Sequence, residues 1–170
     1  WINNYRSVNG IKIMINQIGL LVGKHSESLK IVNNIEKNIQ KIRKKNSNNS
    51  IKPKVYFEEW FDPIICSIQW VSEIIEICGG KNIYNAKDSK SLANDRIIDD
   101  ANEIVNFNPD IILVSWCGKK FKKNKMVNRK NWGKINAIKN NEIHEIDSSI
   151  ILQPGPAALT EGLIIIENII

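Results

Sequence analysis

The sequence predicts an α/β fold in which a parallel-type β-sheet is flanked by helices. Three observations support this prediction. Segments with helical periodicity alternate with short β-forming segments after Pro53. Residues 111–115 form an unbroken apolar run, which is typical of a parallel strand buried on both faces. The chain has 170 residues, of which 42% are hydrophobic, and this is sufficient for one compact lobe with its own core.

Two helices are predicted before the first strand. Ser7 has the side chain of an N-cap, and apolar residues follow it at helical spacing until Gly23, a residue type favoured just after a helix. A longer helix is predicted over residues 26–44, where an apolar stripe runs beside charged positions. It ends in the polar stretch 44–50, which has the composition of a linker.

The α/β lobe is expected over residues 51–170, after a helical segment over residues 1–50. Three strands are predicted in this lobe from β-forming or apolar runs, over residues 54–58, 111–115 and 142–146. Helices are predicted between or after them, over residues 68–78, 101–107, 132–138 and 156–169. In parallel sheets of this kind, ligands bind beyond the carboxyl ends of the strands.

Side chains suited to ligand contact follow each predicted strand directly. Aromatic, carboxylate and amide groups gather in residues 58–63, 115–121, 147–149 and 153–156. Because parallel strands end at one edge of a sheet, these loops are expected to lie near one another. We therefore predict a shallow, Trp-lined surface with polar groups around it, suited to a large flat ligand.

Composition argues against several other classes of protein. The net charge is +6, but Lys is abundant together with Ile and Asn, as in proteins of AT-rich genomes, and no nucleic-acid-binding motif is present. We therefore expect no nucleic-acid partner. Cys66, Cys78 and Cys117 are too widely spaced for a disulfide framework or a C-x-x-C metal site, so no intrinsic cofactor is expected. No apolar run approaches the roughly 18 residues of a membrane span.

Two alternatives to a ligand-binding protein remain open. Cys117 precedes a glycine and lies near two lysines, so it could serve as the nucleophile of an enzyme, with His144 and Asp147 as base and orienting group. The acid-free run of Lys and Arg over residues 119–130 could instead contact the phosphates of a nucleic acid or a membrane surface.

Several stretches of the sequence carry a family resemblance. They are R-S-V-x-x-I near the start, V-Y-F-E-E-W-F-D-P, W-V-S-E-I-I-E-I-C-G-G, N-P-D-I-I-L-V-S-W-C-G-K-K-F and E-I-D-S-S-I-I-L-Q-P-G-P-A-A-L-T-E-G-L. Together they cover nearly the whole chain. They resemble the second lobe of the periplasmic substrate-binding proteins that serve ABC transporters of cobalamin and iron siderophores.

The resemblance implies two α/β lobes joined by one long helix, with the ligand held between the lobes. Residues 26–44 would be that helix, and the residues after Pro53 would be the C-terminal lobe. The N-terminal lobe of the same protein is then expected upstream, and the opening Trp1 is consistent with this. The continuous helix implies little relative motion of the two lobes.

The resemblance also implies the ligand and the residues that contact it. Carried over by position, these are Glu59, Trp60, Arg96, Trp116, Lys119 and Ser149, with Gln153 at the edge. Trp rings would stack on a corrin or chelate ring, and Arg or Lys would pair with its amides or negative charges. The expected ligand is cobalamin or another corrinoid ahead of a ferric siderophore, so any cobalt or iron would arrive within the ligand.

A partner and a location follow from the same resemblance. Such proteins dock on an ABC transporter permease through a surface carboxylate on each lobe. The corresponding position here is Asn102, so we expect its neighbour Glu103 to take this role. The expected location is the periplasm or a membrane anchor outside the cytoplasm, and the alternative is a cytoplasmic binding protein.

Overall fold

The computed structural model describes residues 5–84, 90 and 92–170 of the chain. Helices α1 (Val8–Leu21) and α2 (His25–Asn46) come first and pack against each other. The Ser7 hydroxyl accepts a hydrogen bond from the backbone N–H of Gly10, as expected of an N-cap, and Gly23 adopts a positive φ of 68° just beyond the end of α1.

The start of α1 is also held from a distant part of the chain. The backbone N–H of Val8 donates to Glu73 Oε2 at 2.6 Å, and Glu73 Oε1 accepts from Gln69 Nε2 at 2.9 Å. Glu73 belongs to helix α3 (Gln69–Ile77). A carboxylate at a helix N-terminus satisfies a free N–H and interacts favourably with the helix dipole, so α3 and α1 are joined at this point.

A mixed but mainly parallel sheet forms the middle of the lobe. Its strands are β1 (Lys54–Trp60), β2 (Ile65–Cys66), β3 (Lys81–Asn82), β4 (Ile111–Val114) and β5 (Ile143–Glu145). The order is β2-β1-β4-β5, with β3 beside the start of β1. β1 pairs in parallel with β4 and β4 in parallel with β5, whereas β2 is antiparallel to β1.

The remaining helices cover the two faces of this sheet. They are short: α4 (Asn102–Phe107), α5 (Lys123–Val127), α6 (Asn136–Lys139), α7 (Ser148–Ile151) and α8 (Leu163–Ile169). A π-helical turn (Ala158–Gly162) leads directly into α8, and 3₁₀ turns occupy Ala93–Arg96 and Trp132–Lys134.

Alternate residues of the central strands bury their side chains in two different cores. Val55 and Phe57 of β1 pack with α1, α2, α3 and α8, whereas Tyr56 packs with α4, α5 and the Trp132 region. Glu58 shares the Tyr56 face because side chains alternate along a strand, and it is fully buried. The first core is continuous across residue 50, since α1 and α2 contribute to it; the division of the chain at that residue stays a prediction.

Gly80 lies where three elements meet. A Cβ placed there would come within 2.9 Å of Val55, Ile75 and Ile170 side-chain atoms, which is closer than carbon atoms approach in folded proteins. In contrast, nothing lies within 4 Å of a Cβ placed on Gly133. Gly80 is therefore required by packing, and Gly133 is not.

The elements predicted from the sequence are largely confirmed. The three strands, the two N-terminal helices and the parallel pairing are present, and the α/β fold class is correct. The helix predicted over residues 132–138 is wrong as a single element, because Ile135 is extended with a ψ of 134° and divides it. The next two N–H groups bond elsewhere: Asn136 N donates to Asn108 Oδ1 and Ala137 N to Pro109 O. Among the described helices, none is long and apolar enough to cross a membrane.

Candidate functional site

A pocket lies at the carboxyl edge of the sheet, between the loops that follow β1 and β4. Its volume is about 310 Å³, which is in the range of small-molecule pockets. Three aromatic residues and five charged ones line it: Trp60, Phe61, Asp62, Trp116, Lys119, Lys120, Lys122 and Lys125. This is the position at which ligands bind in open α/β sheets.

Trp116 forms a fixed wall of this pocket. It directly follows Ser115 at the end of β4 and is only 6% exposed. Its ring contacts those of Phe61 and Phe121, with centroid distances of 5.0 and 5.1 Å. Its indole N–H donates to Glu58 Oε1 at 3.0 Å. Because the ring is buried against two aromatic side chains and its N–H is engaged within the protein, little of Trp116 is left for a ligand to contact.

The buried carboxylate of Glu58 is hydrogen-bonded to Trp116 of the pocket wall and to two further side chains. Glu58 accepts two hydrogen bonds from Arg129, at 2.5 and 3.1 Å, and one from the Tyr56 hydroxyl at 3.0 Å, in addition to that from Trp116. Burial raises the pKa of Glu58 above its usual value, and these four hydrogen bonds oppose the rise. Burial also raises the pKa of Tyr56, and the charge of Glu58 adds to that shift.

Arg129 connects this buried carboxylate to the aromatic floor. Its guanidinium carbon lies 4.5 Å from the centroid of Phe61 and 4.4 Å from that of Trp132. One guanidinium nitrogen also donates to the backbone carbonyl of Phe61 at 2.9 Å. A single planar side chain thus fixes the end of β1, the loop after β1 and the Trp132 turn relative to one another.

A second buried ion pair lies beside the first. Arg96, which is 2% exposed, donates to both carboxylate oxygens of Glu59, at 2.5 and 3.1 Å, and to the Cys66 carbonyl at 2.7 Å. The family resemblance implies that Glu59 and Arg96 contact the ligand. The structure pairs them with each other, so neither group is free in this state to meet a ligand.

Two of the four lysines that line the pocket lie over aromatic rings. Lys119 Nζ is 4.3 Å from the centroid of Trp60, and Lys125 Nζ is 5.6 Å from that of Phe61. The indole N–H of Trp60 donates to the backbone carbonyl of Asp62 at 2.9 Å, which fixes the ring in the loop after β1. The pocket therefore combines aromatic walls with ammonium groups above them.

Three of the predicted ligand residues line the pocket, namely Trp60, Trp116 and Lys119. Ser149 and Gln153 are exposed and lie in the segment that follows β5, outside the residues that line it. The Ser149 backbone N–H and hydroxyl both donate to Asp147 Oδ1 at 2.7 Å, which caps α7. These bonds hold the pKa of Asp147 below its usual value.

Sequence reasoning missed part of the pocket. Phe61, Lys120, Lys122 and Lys125 line it, and Arg129 braces it, but none is in the predicted ligand set. A signal was present, because residues 119–130 contain several cations and no acid. That signal favoured a nucleic-acid or membrane surface as much as a small-molecule site.

The predicted docking residue Glu103 is exposed in the first turn of α4. Burial raises the pKa of Tyr84, and the nearby charge of Glu103 raises it further. Asn102 at the start of the same helix accepts from Asn131 Nδ2 at 3.2 Å. Nothing in this geometry tests the docking role, which stays a prediction.

The groups proposed for a thiol enzyme have other partners. Cys117 is exposed, but His144 Nε2 bonds with Glu142 at 2.9 Å and Asp147 caps α7. Within the described residues, no group of three His, Cys, Asp or Glu side chains is arranged to hold a metal ion.

A second cavity, of about 420 Å³, lies between α1, α2 and α3. Two of its lining charges are paired with each other: Lys12 Nζ bonds Glu36 at 2.7 Å, and this bond lowers the pKa of Glu36. Glu73, also in its lining, is engaged by the start of α1. The pocket at the strand edge is the stronger candidate, because it lies where ligands bind in open α/β sheets and, within the described part of the chain, none of its lysines forms an ion pair.

Comparisons with solved structures support the fold independently of the pocket. A protein described as a possible iron-binding (periplasmic solute-binding) protein of Staphylococcus epidermidis superimposes with a TM-score of 0.76 at 23% identity, over 97% of this chain and 63% of the other. S. aureus IsdE complexed with heme gives 0.79 at 18% identity, over 99% and 67%. The periplasmic vitamin B12 binding protein BtuF of Vibrio cholerae gives 0.72 at 15% identity, over 99% and 63%.

The chain thus spans roughly two thirds of the length of these proteins. At such identities the likeness establishes the fold alone. A comparison with curated protein sequences finds no match. A family model of periplasmic binding proteins, however, matches residues 2–150, which is most of the sequence. The chain belongs to the periplasmic binding protein family, whose members bind substrates for transport.

Proposed function

We propose that this chain is the ligand-holding C-terminal lobe of a substrate-binding component for ABC-type uptake of a bulky, metal-bearing compound. Cobalamin or another corrinoid and a ferric siderophore are the two candidate ligands. The observation that carries the proposal is the pocket at the carboxyl edge of the sheet, with its aromatic walls and lysine rim. Solved structures of the same fold support it, since these proteins are described as possibly iron-binding, as complexed with heme and as binding vitamin B12.

The pocket has a size that suits one side of such a ligand. A volume of about 310 Å³ admits part of a macrocycle or chelate and leaves the rest outside this lobe. In our proposal a second lobe, corresponding to the remaining third of the related proteins, covers that exposed part. Trp60 and Phe61 contact the ligand's apolar surface, and the lysines contact its polar periphery.

In this proposal the protein lies outside the cytoplasm, in the periplasm or on a membrane anchor. It delivers its ligand to a permease. Glu103 is the proposed contact on this lobe, since it is an exposed carboxylate next to Asn102, the position that the resemblance indicates. The protein binds and releases its ligand without chemical change. An enzymatic role would instead require the exposed Cys117 thiol to react with a substrate.

Calorimetric titration tests this function. The protein, expressed with any residues that precede or follow this chain in its gene, is titrated with cyanocobalamin, a ferric hydroxamate and a ferric tricatecholate. We expect saturation at one ligand per protein for at least one of them. Replacing Trp60 by Leu should weaken binding by roughly tenfold, because a pocket aromatic of this kind contributes more than about 1 kcal/mol.

Phe107→Leu is the matched control, since Phe107 is a partly exposed aromatic at the opposite, amino edge of the sheet. It should leave the affinity unchanged. Binding of no metal-bearing ligand, or equal losses from the two variants, would refute the proposed function. Saturation by cobalamin alone would identify a corrinoid-binding protein, and saturation by a ferric chelate alone an iron-uptake protein.

A further inference from the structure

The charges that line the pocket are unbalanced. Four lysines face one carboxylate, Asp62. None of the four forms an ion pair within the part of the chain that the structure describes. The other cation nearby, Arg129, is already neutralised by Glu58. From residue 111 to residue 141 the sequence contains no acid at all, so the lysines have no neighbours along the chain to pair with.

Two of these lysines rest on aromatic faces. Lys119 covers Trp60 and Lys125 lies near Phe61. A ligand that stacks on these rings must first displace the ammonium groups. A neutral ligand offers the displaced lysines only uncharged acceptors such as amide carbonyls, whose hydrogen bonds with an ammonium group are weaker than those of an anionic oxygen, so it compensates less for the lost cation–π interactions. A ligand with negative oxygens at its periphery gives the same lysines charge-assisted hydrogen bonds, while its apolar part takes their place on the rings.

The shape of the basic segment distinguishes this site from a flat surface for a long polyanion. Lys119, Lys120, Lys122 and Lys125 line the concavity, whereas the Lys123 ammonium bonds instead to the Asn141 side chain. The segment therefore curves around a small pocket with an aromatic floor. Such a site fits a compact anion with a hydrophobic body better than it fits a phosphate backbone.

We infer that this pocket selects metal chelates that carry several negative charges, on carboxylate or catecholate oxygens, over neutral ligands such as cyanocobalamin and neutral ferric hydroxamates. This inference rests on the proposed function and narrows its substrate class. It reverses the order of ligands that the sequence resemblance favoured. The unpaired lysines and their positions over Trp60 and Phe61 carry it.

A charge-matched pair of double variants tests the inference. Lys120→Gln/Lys122→Gln removes two positive charges inside the pocket, and Lys134→Gln/Lys139→Gln removes two from exposed positions outside it. Binding of a ferric tricatecholate, a neutral ferric trihydroxamate and cyanocobalamin is measured for each by calorimetry at low and high salt. Thermal unfolding verifies that both variants remain folded.

We expect the tricatecholate to bind the protein most tightly. The pocket variant should bind it at least about tenfold more weakly, and the outer variant should match the unaltered protein within about twofold, because screened charges act over distances of roughly 10 Å or less. High salt should selectively weaken the binding of the anionic ligand. Affinity for the neutral ligands should change little in either variant.

The outcomes separate this inference from the proposed function. Equal binding of neutral and anionic ligands, or a pocket variant that retains full affinity for the tricatecholate, overturns charge selection and leaves metal-ligand capture standing. Failure of every chelate and of cobalamin to bind overturns both. Competition by a single-stranded oligonucleotide as effective as that by the tricatecholate also overturns the inference, in favour of a macromolecular polyanion.

Discussion

Replacing Arg129 by Met should destabilise the protein in a pH-dependent manner. The Met side chain retains part of the apolar contact with Phe61 and Trp132, but it removes the positive charge from a carboxylate that is 0% exposed. Glu58 would then keep only the hydrogen bonds from Tyr56 and Trp116. Removing one partner of a buried ion pair lowers the free energy of unfolding by about 3–5 kcal/mol, because the remaining charge stays desolvated.

The pH dependence follows from the direction in which the Glu58 pKa moves. Burial raises this pKa in the folded protein, and Arg129 is the main group that opposes the rise. A raised pKa means that the folded state holds the proton more tightly than the unfolded chain. The free energy of unfolding therefore falls as pH rises above the unfolded value of 4.5 towards the folded value, by about 1.4 kcal/mol for each pKa unit between them. Without Arg129 the folded pKa of Glu58 is higher still, so the pH range over which the free energy of unfolding falls is wider.

Urea denaturation followed by circular dichroism, from about pH 4.5 to about pH 8, measures the effect. The loss in Arg129→Met should be smallest at the acidic end and should approach its full value near neutral pH. Arg129→Lys, which keeps the charge, should lose less and follow the unaltered protein in its pH profile. In the double variant Glu58→Gln/Arg129→Met the additional pH dependence should disappear. A loss below about 1 kcal/mol at neutral pH, or one that is equal at all pH values, would refute the reasoning.

Two further predictions concern packing and thiol accessibility. Gly80→Ala should lower the free energy of unfolding by about 1–3 kcal/mol because the added methyl overpacks the core, whereas Gly133→Ala should stay within about 0.5 kcal/mol; similar thermal unfolding of the two variants would contradict this. Alkylation followed by mass spectrometry should label exposed Cys117 in the native protein, and buried Cys66 and Cys78 only after unfolding, since burial raises the pKa of Cys78 to about 12. Prompt labelling of all three in the native state would show that the two cores open readily.

The sequence was sufficient to predict the sheet and the edge at which the pocket lies. Apolar runs and helical periodicity depend on local spacing, and the parallel-sheet rule then brings the loops after β1 and β4 together. Strands of two residues, such as β2 and β3, carry no such pattern and were not predicted. Nor did the spacing reveal the break at Ile135, because the N–H groups of the two residues that follow it bond to groups about 28 positions earlier in the chain.

The orientation of individual side chains at the pocket could not be read from the sequence. A Trp that follows a strand can be a rim residue or part of the core, and Trp116 is fixed in the core by Glu58, which lies 58 positions earlier. Arg129 meets the same carboxylate across 71 positions. Pairings at such separations depend on the whole fold. The sequence likewise shows that the run of lysines is positively charged. It does not show which of them line the pocket and which, like Lys123, bond elsewhere.

The double attachment at the start of α1 determines how firmly its first turn is held. The Ser7 hydroxyl and the Glu73 carboxylate together occupy the N–H groups of Gly10 and Val8, so the first turn of this helix resists fraying. A force applied to the chain ahead of Ser7 would be transmitted to α3 through the hydrogen bond between the Val8 N–H and the Glu73 carboxylate, and it would not unwind α1. The helix α1 is thus attached to α3 both through the core that they share and through a hydrogen bond at its first turn.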